Sequence, residues 1–119
     1  MKSAIAAIAI AGLWLAGCSS TPPPVQRMTT AKASVRAAQE LGADQVPKAQ
    51  LHLQLAEEQV RHADELIDRG KMERADLLLQ RANADAQLAI AITRQDAARD
   101  QLRQSMEAMD TGVEMENVP

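Results

Sequence analysis

Apolar residues recur at alternating spacings of three and four along most of the chain. Ala49, Leu53, Ala56, Val60, Ala63 and Ile67 form one such stripe, and Met72, Ala75, Leu79, Ala82, Ala86 and Ala89 form another. This is the period of an α-helix. No window alternates β-branched with polar residues as a half-buried strand would. The pattern predicts three helices. The first runs from about Met28 to Leu41, with Ala31, Val35, Ala38 and Leu41 on one side, and Gly42 closes it. After a break at Gly42 to Val46, Pro47 suits the first turn of the second helix, because its missing N–H would be unpaired there in any case. That helix runs over 47–69, Gly70 supplies the turn, and the third helix spans 71–109. The expected fold class is therefore all-α.

The turn at Gly70 is so short that the second and third helices must be antiparallel neighbours. Ile67 then faces Met72, Ala63 lies near Ala75, Ala56 near Ala82 and Ala49 near Ala89. The third helix outruns the second, at ~57 Å against ~33 Å. A long antiparallel helical hairpin of coiled-coil type accounts for the difference if the first helix continues in line with the second through the break at Gly42–Pro47. Leu102, Met106 and Met109 would then oppose Ala31, Val35 and Ala38. The alternative is a compact three-helix bundle with the first helix folded against the other two. A second apolar line, Leu55, Leu66, Leu77, Leu88 and Ile92, lies off the main seam and is the candidate surface for a partner or for a homo-oligomer. Glu57 with Arg61, Glu65 with Arg69, Arg81 with Asp85, and Arg103 with Glu107 have the spacing of helical ion pairs.

The start of the chain has a different character. Lys2 precedes an apolar run from Ala4 to Leu15, which as a helix reaches ~18 Å, short of the ~30 Å hydrocarbon layer. Leu15-Ala16-Gly17-Cys18 closes the run and contains the only cysteine. An aliphatic residue, two small residues and a cysteine resemble the lipobox of bacterial lipoproteins. The resemblance implies a signal peptide over 1–17, cleavage before Cys18, diacylglycerol on its sulfur and an acyl chain on its amine. Two or three acyl chains, at ~0.8 kcal/mol per buried methylene, hold a protein on a membrane without a span. Ser19 in place of Asp implies an outer-membrane anchor facing the periplasm, rather than the inner membrane. Residues 18–27 read as a tether, since Pro22, Pro23 and Pro24 cannot enter a helix interior. An extended tether of this kind covers ~3.1 Å per residue.

Composition narrows the chemistry. Trp14 is the only aromatic residue, so the chain after Cys18 has no stacking platform for sugars, bases or heterocyclic cofactors. Between Arg27 and Arg103 twelve Lys or Arg balance twelve Asp or Glu. A neutral body disfavours nucleic acid, which needs a basic stripe. The acidic excess, Glu107, Asp110, Glu114 and Glu116, lies in the tail, and 110–119 is expected to be disordered. His52 and His62 are ten residues apart, ~15 Å along one helix, too far to share a metal ion. His62 and Glu58 have helical ligand spacing but lack further ligands. Ser34 and Ser105 have no base at helical spacing, and no glycine-rich phosphate loop occurs. No enzyme, cofactor, metal or small-molecule substrate is expected.

A wider resemblance covers about 28–95. Gly42-Ala43, the Pro47 helix start, the alanines of Leu51 to Ala63, Gly70-Lys71-Met72-Glu73-Arg74-Ala75 and Ala82-Asn83-Ala84-Asp85-Ala86-Gln87-Leu88-Ala89 resemble the domain-of-unknown-function 4398 family. The chain departs from it at Gln45 and Met72, where an aromatic is usual. The resemblance implies a small envelope lipoprotein, often associated with proteins carrying an OmpA-like peptidoglycan-binding domain, and brings no assigned activity. The expected role is a lipid-anchored periplasmic structural or adaptor protein. The alternative is a wall-associated spacer contacting peptidoglycan non-covalently, similar to the major outer-membrane lipoprotein but without its unbroken heptads or terminal lysine.

Overall fold

The computed structural model describes residues 22–116. The signal-like segment, Cys18, the tether as far as residue 21, and residues 117–119 lie outside the described residues. The described chain forms helix α1 (Val25–Glu40), a 3-10 turn (Ala43–Gln45), helix α2 (Pro47–Asp68) and helix α3 (Met72–Glu116), with no strand among the described residues. The protein is all-α.

Two glycines set the topology. Gly42 has φ +80°, a left-handed conformation that costs an L side chain about 1–2 kcal/mol. Its N–H bonds Gln39 O at 2.9 Å, and Gln45 N–H bonds Gly42 O at 3.0 Å. Val46 is extended, as a residue before proline must be, and Pro47 opens α2. At the other end of α2, Gly70 has φ +71°. Gly70 N–H bonds Ile67 O at 2.9 Å and Lys71 N–H bonds Leu66 O at 2.8 Å, so the last carbonyls of α2 are satisfied as the chain turns.

The α2–α3 hairpin forms in the register that the alanine stripes predict. The course of α1 differs from a collinear extension of α2. Ala31 shares a core cluster with Ala63, Leu66, Ala75, Leu79 and Ala82, while Ala38 shares one with Ala43, Ala49, Leu53, Ala89 and Ile90. The first helix therefore turns back at Gly42, runs antiparallel to α2, and lies along α3 in the same direction. Leu102, Met106 and Met109 do not oppose Ala31, Val35 and Ala38; they are 62%, 58% and 65% exposed. The cause is local and steric. The left-handed glycine and the 3-10 turn reverse the chain, and the small side of α1, Ala31, Ser34 and Ala38, fits against both other helices.

The helix ends also move relative to expectation. The first helix begins at Val25, within the segment read as tether, and Arg27 is held there by an ion pair from its Nε to Asp76 of α3. The last helix continues through Glu116, so residues 110–116 are helical although their charge suggested a disordered tail.

Among the described residues alanine supplies ten of the fourteen buried apolar ones, with Leu53, Leu66, Leu79 and Ile90 completing the core. Many of these alanines are seven apart: Ala31 and Ala38; Ala49, Ala56 and Ala63; Ala75, Ala82 and Ala89. A methyl group at each heptad lets the helix backbones approach closely, leaving no room for a larger side chain. Replacing Ala56 or Ala82, both fully buried, with Leu should therefore destabilise the full chain by about 1–3 kcal/mol in urea unfolding. Leu77→Ala, on an exposed face, should change it by no more than ~0.5 kcal/mol. Equal responses at the two kinds of site would contradict the close-packed seam.

Candidate functional site

Side-chain hydrogen bonds join each pair of helices. Between α2 and α3, Asp85 is the shared acceptor: His52 Nδ1 lies 3.0 Å from its Oδ1, and Gln59 Nε2 donates to its Oδ2 at 2.8 Å. Between α1 and α3, Ser34 Oγ donates to Asn83 Oδ1 at 2.7 Å, and Gln87 Nε2 donates back to Ser34 Oγ at 3.1 Å. Between α1 and α2, Gln39 Nε2 donates to Glu57 Oε1 at 2.6 Å. The buried Ser34 is thus a structural donor and acceptor between helices. It faces an amide pair and not a base.

These links redirect several predicted ion pairs. Glu65 and Arg69 do pair, at 4.0 Å. Asp85 turns toward α2 and is occupied by His52 and Gln59 instead of Arg81. Arg103 Nη2 bonds Asp100 Oδ1 at 2.7 Å, one turn back, in place of Glu107. Glu57 accepts from α1 instead of Arg61.

Chemistry-bearing residues are not gathered. His52 is half-buried against Asp85, whereas His62 is exposed on another part of α2. Among the described residues no group of three or more His, Cys, Asp or Glu could hold a metal ion. An open groove of about 590 Å3 is lined by Gln26, Arg27, Thr30, Leu79, Gln80 and Asn83 of α1 and α3. Its walls are amides, a hydroxyl and a guanidinium already drawn to Asp76. No helix of the described chain is long and apolar enough to cross a membrane.

What remains is surface. The predicted apolar line divides. Leu66 is buried in the core at 8% exposure, whereas Ile92 is half-buried against the other core cluster, beside Ala89 and Ile90. Leu55 on α2 and Leu77 and Leu88 on α3 are exposed. Leu77 and Leu88 are eleven residues apart, three helical turns and ~16 Å along one side of α3. At helical periodicity the same side continues through Leu102, Met106 and Met109, all exposed. This continuous outer face of α3 is a candidate surface that the sequence reading does not assemble. The signal is present in the spacing, but Leu102, Met106 and Met109 are there expected to oppose Ala31, Val35 and Ala38 of α1.

A family model described as Domain of unknown function (DUF4398) matches residues 26–105, from the first turn of α1 to the middle of the α3 extension. No curated protein matches the chain. No solved structure matches it.

The Asp85 and Ser34 links carry a stability prediction. Asp85→Ala leaves His52 and Gln59 without their acceptor across the α2–α3 seam, and Ser34→Ala strands Asn83 and Gln87. Each should cost about 1 kcal/mol, the lower part of the range for a buried partner, because the groups are partly open to water. Thermal or urea unfolding monitored by circular dichroism measures it; Gln80→Ala, on an exposed pair within α3, should be close to neutral.

Proposed function

The chain belongs to the DUF4398 family, a domain of unknown function, and on that premise we propose that it is a lipid-anchored, non-catalytic protein of the bacterial cell envelope. In this reading acylated Cys18 holds it on the periplasmic side of the outer membrane, and the helical module presents a docking face as a structural or adaptor element. The observation that carries the reading is Leu15-Ala16-Gly17-Cys18 at the end of a short apolar run, directly ahead of a proline-rich link to the helices. The helical part supports it through what its exposed surfaces offer. Leu77 and Leu88 stand outward on α3, while Ser34, His52, Gln59, Asn83, Asp85 and Gln87 are engaged in tying helices together. A lipid anchor needs no catalytic group; a scaffold needs a rigid face.

The N-terminal link meets the bundle at a defined end. Pro22, Pro23 and Pro24 lie beside Met72 and Asp76 at the start of α3. An anchor before them would therefore hold the α2–α3 turn near the lipid surface, through a tether of ~20 Å.

Radiolabelled palmitate tests the anchor. The wild-type chain should incorporate label and sediment with membranes, and Cys18→Ser should lose both. Retention of both by the variant refutes the acylation. A photo-cross-linking residue in place of Leu77 or Leu88 tests the face. It should trap a discrete protein adduct in intact cells, whereas one in place of the buried Leu66 should not; capture at Leu66 alone would place the interaction elsewhere.

A further inference from the structure

Beyond Thr93, α3 leaves the bundle. Every described side chain from Arg94 to Gly112 is exposed except Asp100, which is half-buried. Most of the stability of a helix in a protein comes from packing an apolar face against a neighbour, which this stretch lacks. Ala98, Leu102, Met106 and Met109, at spacings of four and three, draw one apolar line down it. Its basic residues are confined to one half. Arg94, Arg99 and Arg103, interspersed with Asp96 and Asp100, lie next to the bundle, with Arg103 bonded to Asp100 one turn back, while Glu107, Asp110, Glu114 and Glu116 follow toward the tip without a basic residue among them.

We propose that this extension is a self-association element, in which the α3 extensions of two copies pair antiparallel. Such a pair has two-fold symmetry, so each contact is made twice. Arg99, Arg103, Glu107 and Asp110 fall along one flank of the apolar line at helical spacings. Like flanks face each other when two helices run in opposite directions. Glu107 and Asp110 of one copy then meet Arg103 and Arg99 of the other, and Leu102 sits among Met106 and Met109 across the axis. Charges flanking an apolar helical seam select partner and orientation in this manner. In a parallel pair unlike flanks face each other, so this charged flank would meet Gln101, Gln104 and Ser105 and the arginine–carboxylate pairs would be lost. An anionic lipid surface is a poorer occupant, because helices that lie on membranes carry Lys and Arg along the polar face. This tip is acidic.

The two bundles stand at opposite ends of the shared coil, with their N-terminal ends at the two far ends of a rod. Proline tethers at both ends would let one membrane hold both copies, with the rod lying along it. The self-pairing itself does not depend on the anchor.

Two full-length copies bearing different C-terminal tags, co-expressed and captured through one tag, provide the test. Wild-type copies should co-capture. Arg99→Glu with Arg103→Glu in both copies should lower co-capture at least tenfold, and so should Glu107→Arg with Asp110→Arg. Combining all four substitutions in both copies reverses each patch, so that opposite charges meet again, and should restore it. Helix content by circular dichroism should remain that of the wild type throughout, because none of these side chains contacts the bundle. Absence of wild-type co-capture, indifference to either charge reversal, or failure of the fourfold chain to recover association overturns the proposal.

Discussion

Close backbone approach through alanine is the constraint on which the rest of the structure depends. A methyl group at each heptad seam position brings helices together but removes little apolar surface from water compared with leucine. A hairpin built this way is thin. The first helix makes up the difference: Ala31 and Ala38 of α1 pack against both α2 and α3, and Ser34 between them bonds across to α3. The polar links follow from the same spacing. Helices this close place Ser34 within reach of Asn83 and His52 within reach of Asp85, so short side chains suffice to bridge them.

The bundle also ends early. The second helix is ~33 Å long and the third ~67 Å, so half of α3 runs on after its neighbours have turned away. In the buried part, α3 has an inner side of small residues and an outer side carrying Leu77 and Leu88. In the free part the inner side has nothing to face, and the outer line simply continues. One helix thus serves two purposes, as the spine of a folded module and as an extension with its own apolar and charge pattern.

The sequence reading located the helices because alanine and leucine repeat at three and four over long stretches, and it located both turns because Gly42 and Gly70 interrupt those stretches. The hairpin register was equally legible, since a turn of one or two residues allows little else. The course of α1 was not. A stripe of Ala31, Val35 and Ala38 fits an alanine seam in either direction, and only the backbone at Gly42 and the 3-10 turn decides between continuation and reversal. Once α1 reverses, Leu102, Met106 and Met109 lose their supposed partners, and Leu66, counted as surface, becomes core because it closes the end of the bundle near the Gly70 turn. The direction of Asp85 was likewise beyond reach, because helical spacing offers it Arg81 while the neighbouring helix offers His52 and Gln59.

The alanine seam has one more effect, on how such a chain can drift over generations. At Ala49, Ala56, Ala63, Ala75, Ala82 and Ala89 the space is closed, so enlargement is resisted whatever its polarity. On outer faces that meet no partner almost any helix-forming residue serves. Descendants of this fold should therefore resemble one another least on those faces and most in the rhythm of their smallest residues. Ancestry in such a chain is written in where side chains stop short.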